Sequence, residues 1–173
     1  MKRELIIGCG SERTKRLTID GSIIFDNPTT LDINPDHNPD IVFDLMQITL
    51  PFEDNTFDEI HAYEVLEHTG AQGDYKFFFA QFSEFWRVLK PDGHFFATCP
   101  SRHSPWALGD PSHTRVLQPE NLVFLDQDAY KNQVGTTSMS DFRNIYKADF
   151  KAVACTENET QFIFIIQAKK ETK

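Results

Sequence analysis

Short apolar runs, each closed by a polar or glycine-marked break, organise the first hundred residues. Leu5-Ile6-Ile7 stops at Gly8 and Gly10, the pattern of a buried strand entering a tight turn. Asp20-Gly21 lies between apolar β-formers and predicts a hairpin over 18–25. Residues 30–33 and 40–44 predict two further short strands, ending near Asp32 and at Asp44, and residues 57–63 predict a fourth. Phe78, Phe82, Phe85 and Leu89 then recur at helical spacing, which predicts a helix from about Asp74 to Lys90. Asp74 suits its N-cap, and Pro91-Asp92-Gly93 suits its close. Residues 94–99 predict a strand stopped by Pro100, and residues 101–114 a loop around Trp106. A short helix is expected from Pro119 to about Leu125, and a polar stretch over 132–140. The runs 150–156 and 161–168 have the spacing of an antiparallel hairpin.

Strands separated by helical or long connections, followed by a terminal hairpin, predict an α/β fold with a mainly parallel sheet of about seven strands. Such open sheets bind ligands beyond the carboxyl ends of their strands, at the point where strand order reverses. Gly8-Cys9-Gly10, Asp32 and Asp44 close three of the expected strands, so a shared pocket is expected at that edge.

A length of 173 residues suits one domain spanning 1–173. The net charge of −9 leaves no dense basic stripe for phosphates, which disfavours nucleic acid as a partner. Cys9, Cys99 and Cys155 form no CxxC pair and fall in apolar runs, where a thiol behaves as a small buried hydrophobe. No membrane span or signal peptide is read at the start of the chain, so a cytoplasmic location is expected. No metal site is read from the sequence either. Asp32, Asn34 and Asp36 mimic the start of a calcium loop, but His37 replaces its glycine and Phe43 its final glutamate. A nicotinamide fingerprint fails because its third glycine would fall at Arg13.

Six segments in order resemble the class I S-adenosylmethionine-dependent methyltransferases, in particular a small bacterial and phage-type branch. They are Gly8-Cys9-Gly10, Leu31-Asp32-Ile33, Asp44-Leu45, the run 51–58 beginning Pro51-Phe52, Val65-Leu66-Glu67-His68, and the run 86–93 ending Lys90-Pro91-Asp92-Gly93. The resemblance covers about residues 4–100. It implies a Rossmann-like methyltransferase fold with S-adenosyl-L-methionine as cofactor. By the same resemblance, Gly8, Cys9 and Gly10 would face the cofactor's amino-acid part. Asp32 and Ile33 would lie at the ribose, Asp44 and Leu45 at the adenine, and Glu64 and Val65 beside the methionine portion. Glycines let a backbone approach a ligand without Cβ interference, and an acid at a strand end can accept from ribose hydroxyls. Most members place a long helix after the glycine turn. Here no helical period follows Gly10, so a reduced first helix is expected.

Methyl transfer needs an in-line nucleophile, and a general base only for some acceptors. The catalytic residues are not fixed by the sequence; His68 and His113 are the candidates for a base. Tyr63 and Trp106 are candidates to shape an acceptor pocket, with the acceptor held by residues 101–115. The acceptor motifs of DNA methyltransferases are absent, which leaves a small-molecule, sugar or lipid-linked acceptor as the leading class. Two other classes stay open: a cofactor-binding sensor or subunit that transfers nothing, and an enzyme that cleaves the cofactor itself.

Overall fold

The computed structural model describes residues 2–11 and 13–171. Its strands are β1 (Glu4–Ile7), β2 (Thr29–Asp32), β3 (Ile41–Val42), β4 (Phe57–Tyr63), β5 (Leu89–Pro100), β6 (Phe150–Glu157) and β7 (Gln161–Ala168). They form one seven-stranded sheet in the order β3-β2-β1-β4-β5-β7-β6. All pairs from β3 to β5 are parallel, and β7 runs antiparallel to both β5 and β6. This is the expected Rossmann-like methyltransferase fold. The chain steps outward from β1 to β3 and returns to β4, so strand order reverses between β1 and β4, where such sheets open a crevice.

The one long helix, α1 (Tyr75–Val88), is capped by Asp74, whose side chain accepts from the Phe77 N–H at 3.1 Å. It buries Phe79, Phe82, Phe85 and Val88, and Phe85 stacks on Phe95 of β5 at 4.8 Å. Each ring removed from water contributes roughly 1.5–3 kcal/mol. The helix stops before Lys90, and Leu89 already pairs with Phe57 in the sheet. Pro91 can neither continue the helix nor donate to the ladder. Residues 90–93 therefore bulge outward, with Asp92 at a φ of 61°, before pairing resumes at Glu59 and His94. The turn expected there is thus a bulge inside a longer strand.

Three short helices follow: α2 (Trp106–Gly109), α3 (Pro119–Val123) and α4 (Gln127–Gln133). α2 and α4 carry no apolar period long enough to read. Asp126, whose side chain accepts from the Asp128 N–H at 2.8 Å, is the local signal for α4.

Among the described residues no helix lies between β1 and β2, in keeping with the reduced first helix expected. Residues 13–28 cross that face as irregular chain, with left-handed turns at Gly21 and Asn27. Beneath them, Lys15 donates to Glu4 and to Glu59, at 2.6 Å each, and His61 Nε2 bonds the same Glu59 at 3.1 Å. His61 lies flat on Phe96 at 4.5 Å, with Phe25 edge-on at 4.9 Å. A satisfied ionic cluster thus occupies the face where the reduced first helix was expected.

The predicted hairpin over 18–25 does not form. Asp20 instead accepts from Ser22 N–H and from the Thr18 hydroxyl, and Ile23 and Ile24 are 72% and 76% exposed. A lone two-stranded hairpin is marginal in water, and no third strand is offered here. Cys155 is also a correction: Cys9 and Cys99 are buried, but Cys155 is exposed because β6 is the sheet's edge.

Candidate functional site

At the carboxyl ends of β1, β2 and β4 a cleft of about 350 Å³ is lined by Gly8, Gly10, Asp32, Ile33, Asp44, Leu45, Glu64, Val65 and His68, among others. That volume is within the range of small-ligand pockets, roughly 300–1,000 Å³. Every expected cofactor-contacting residue except Cys9 lines it.

The turn after β1 is fixed by two left-handed glycines. Gly8 has a φ of 58°, and a Cβ built on it would stand 2.2 Å from Val65 Cγ2. Only glycine lets β1 and the segment after β4 meet there. Gly10 has a φ of 55°, and a Cβ there would meet nothing within 4 Å. Its bare backbone therefore leaves open the space a ligand would fill. Cys9, between them, is turned inward and 4% exposed, so it supports the turn instead of lining the cleft. Its N–H donates to the Leu31 carbonyl at 3.2 Å, tying the turn to β2.

Asp32 is 6% exposed and holds the floor of the cleft. Its Oδ2 accepts from the Gly10 N–H and its Oδ1 from the Asn34 N–H, each at 2.8 Å. His37 Nδ1 lies 3.2 Å from Oδ1. Burial alone would raise this carboxyl, but the Asn34 and Gly10 amides and His37 outweigh it and hold it below its ordinary value. An ionised carboxylate offers about four acceptor sites. The two amides leave capacity for ligand hydroxyls, so the residues present fit the cofactor's ribose.

Asp44 folds onto its own turn, accepting from the Met46 N–H at 2.8 Å, while Leu45 is buried against the core. Ile33, just past β2, is 63% exposed. Glu64 holds a left-handed φ of 52°, uncommon for a residue with a side chain. Its N–H donates to Thr98 O at 2.8 Å, and its Oε1 accepts from Gln161 Nε2 at 2.7 Å. Strain of this kind is of order 1–3 kcal/mol and persists where the surroundings enforce it.

A second cleft, of about 430 Å³, opens on the other side of Glu64 between Pro100, Ser104, Pro105, Trp106, Thr160 and Gln161. Trp106 is 67% exposed there. Tyr63 does not join it, contrary to expectation. Its hydroxyl bonds His61 Nδ1 at 2.7 Å and accepts from the N–H groups of Arg16 and Leu17, so it anchors residues 13–28 on the opposite face. Alternation along β4 puts Tyr63 on the same side as His61 and Glu59.

His68 and His113, 45 positions apart, meet edge to face at 4.6 Å. His68 Nδ1 bonds Ser112 Oγ at 3.1 Å, and His113 Nδ1 bonds the Trp106 carbonyl at 2.8 Å. Beside them Glu67 is 2% exposed, with neither carboxylate oxygen hydrogen-bonded. Burial chiefly, with the neighbouring Glu64 charge, pushes its carboxyl up to about 8. Glu67 and Arg115 were not singled out from the sequence. Arg115 is buried, donating to Leu66 O, Thr69 Oγ1 and Gln81 Oε1 at 2.9, 2.9 and 2.6 Å. The end of the loop over 101–115 is therefore part of the core's polar framework and is not a detachable flap.

Residues 5–97, more than half of the chain, match the family described as a methyltransferase domain. No curated protein matches the chain. Several solved structures share its fold. A SAM-dependent methyltransferase from Archaeoglobus fulgidus superposes with a TM-score of 0.59 at 17% identity, covering 96% of this chain and 86% of that one. The N-methyltransferase NodS from Bradyrhizobium japonicum, solved with S-adenosyl-L-homocysteine, gives 0.57 at 15% identity over 98% and 79%. A SAM-dependent methyltransferase from Methanosarcina mazei gives 0.52 at 18% over 98% and 93%. Among the described residues no helix is long and apolar enough to cross a membrane. With its strand order, its glycine turn and the family match together, the chain belongs to the methyltransferase domain family and carries the class I S-adenosylmethionine-dependent methyltransferase fold.

Proposed function

We propose that this protein transfers a methyl group from S-adenosyl-L-methionine to a small-molecule or sugar-type acceptor. The observation that carries this reading is Glu64, which lines both clefts at once. One cleft takes the cofactor and the other the acceptor, with the methyl end of the first beside Glu64. Gly8 and Gly10 admit the amino-acid part, Asp32 accepts from the ribose hydroxyls, and Asp44 with Leu45 borders the adenine. The cofactor supplies an electrophilic methyl on a sulfonium. The protein's own contribution is positioning and exclusion of water, which is worth several kcal/mol when two reactants are held in line. Glu64, fixed by Gln161, places negative charge near the sulfonium. Trp106 provides an apolar wall for the acceptor. His68 and His113 are the candidate bases for an acceptor that must lose a proton, since each has a ring nitrogen that makes no hydrogen bond to the protein.

A binding role without transfer is the second reading, and the absence of a helix between β1 and β2 among the described residues favours it, because a helix N-terminus there would face the cofactor. Incubation with cofactor carrying a labelled methyl group, against a panel of hydroxylated and amino small molecules, separates the two. Label transferred to one acceptor class supports the proposal. Cofactor retained intact with every acceptor favours the binding role, and product formed from cofactor alone indicates cleavage.

A further inference from the structure

One carboxylate oxygen of Glu67 and one ring nitrogen each from His68 and His113 lie within 4.8 Å of one another. Their surroundings prepare the two histidines as donors. The Trp106 carbonyl can only accept, so His113 Nδ1 carries the proton and Nε2 keeps its lone pair. Ser112 Oγ donates to Asp110 Oδ1 at 2.6 Å, so it accepts from His68 Nδ1 and leaves His68 Nε2 likewise bare. Backbone or carboxylate partners on the far nitrogen are how proteins orient histidines toward metals. Asp110 Oδ2 stands 3.9 Å from His113 Nε2, a further carboxylate at the rim.

Glu67 supplies the independent observation. It is 2% exposed, and among the described residues neither oxygen has a well-formed hydrogen bond or an ion pair within 4 Å, its polar neighbour being the weakly donating Cys99 thiol. Leaving such a group unsatisfied costs about 1–3 kcal/mol or more. A second cluster of the same kind, Glu4, Glu59 and His61, makes the contrast plain. There the Lys15 ammonium sits between the two carboxylates and serves as the cation. At Glu67 no lysine or arginine among the described residues does so within 4 Å: Arg115 lies near enough for its charge to be felt, but its Nε and Nη2 bond Leu66, Thr69 and Gln81 and its Nη1 bonds nothing.

We propose that Glu67, His68 and His113 form a binding site for a divalent first-row transition metal ion, with an open position toward the cofactor cleft. Two imidazoles and one carboxylate suit zinc, manganese, cobalt or iron(II) better than magnesium or calcium. Donors at about 2.1 Å from one ion stand roughly 3.4 Å apart, so small side-chain rotations close the set. His68 also lines the cofactor cleft, which puts the ion where it borders the methyl end. If the methyl-transfer reading holds, on which this last step rests, the open position takes an oxygen of the acceptor and selects hydroxylated acceptors.

The test uses metal-free protein with no cofactor present, titrated with Co²⁺ and followed by visible absorption, with Zn²⁺ competition. The expected result is one saturable equivalent, displaced by Zn²⁺ and weakened more than about 10-fold in both Glu67→Gln and His113→Ala. Circular dichroism checks that each variant is folded, and His68→Ala replaces any that is not. Absence of saturable binding by folded wild-type protein overturns the site, as does binding that the folded variants retain. Separate titration with S-adenosyl-L-homocysteine distinguishes the outcomes: metal failure with cofactor binding leaves the methyl-transfer reading standing.

Discussion

The backbone N–H of Gly10 donates to Asp32 Oδ2 at 2.8 Å, so one hydrogen bond ties the glycine turn after β1 to the acid at the end of β2. The two segments expected to hold the cofactor therefore brace each other before any ligand arrives. Replacing Asp32 with Asn keeps the shape but exchanges one accepting oxygen for a donor that faces an amide. We expect cofactor affinity to fall more than tenfold and thermal stability to drop by about 1–3 kcal/mol, read by calorimetry and thermal denaturation. Unchanged affinity would remove Asp32 from the site.

Gly8→Ala should be poorly tolerated for two separable reasons. The new Cβ meets Val65 Cγ2 at 2.2 Å, and a φ of 58° is strained for any L side chain. The strain alone is of order 1–2 kcal/mol. Adding Val65→Ala should recover the steric part of the loss but not the backbone part. A double variant no more stable than the single one would mean the clash is absorbed elsewhere.

Lys15 is the cation of a buried cluster, and burial would lower its ammonium pKa were it not for hydrogen bonds to Glu4 and Glu59, which raise it. Lys15→Met leaves Glu4 without its cation and Glu59 with only Lys2 and His61, and breaking such a set by removing one partner costs up to roughly 3–5 kcal/mol. Chemical denaturation reads this directly. A loss below 1 kcal/mol would mean water reaches the cluster.

Acid should destabilise the fold in two stages. Burial pushes His61 below its ordinary value, with Glu59 opposing and Lys15 and Glu4 also facing it. His61 therefore stays neutral in the folded state while the unfolded chain gains a proton. Its contribution is full above the unfolded histidine value and is lost as pH falls below about 6.5. His94, also lowered by burial, adds to this stage. Burial would raise the Glu59 carboxyl, but hydrogen bonds from His61, Lys15 and Lys2 hold it far down, so its contribution persists until pH falls below about 4.5. Glu67, raised to about 8, works the other way, stabilising the fold as pH falls from 8 towards about 4.5, so the His61 stage is read as a difference between proteins. Thermal denaturation of wild type and His61→Phe from pH 8 to 5 should show the wild type losing more stability than the variant, and parallel profiles would contradict this.

Trp106→Ala should raise the KM for the acceptor while leaving cofactor affinity unchanged, because the ring lines only the second cleft. Equal weakening of both ligands would mean that the two clefts are one.

The central sheet was readable because its strands are short apolar runs with breaks at Gly8, Asp32 and Pro100, and α1 because its phenylalanines keep helical spacing. The lining of the cleft at the strand ends was legible residue by residue, with Cys9, turned inward, as the exception. What escaped depends on contacts distant in sequence. Asp20-Gly21 has the chemistry of a hairpin turn, but no neighbouring strand covers it. Tyr63 faces away from the second cleft because alternation along β4 places it on the side of Glu59 and His61. Glu67 is hidden in the same way. Nothing in Leu66-Glu67-His68 signals a buried, unpartnered carboxylate until His113 and Arg115 arrive from 45 and more positions away.

Isothermal titration of S-adenosyl-L-homocysteine into the wild type and into Asp32→Ala is the most direct check that the cleft at Gly8, Asp32 and Glu64 holds the cofactor. Saturable one-to-one binding by the wild type, abolished in a folded Asp32→Ala protein, is the result we predict. A folded wild type that releases no heat with either this ligand or S-adenosyl-L-methionine would contradict it, and would leave the methyltransferase fold here without its cofactor.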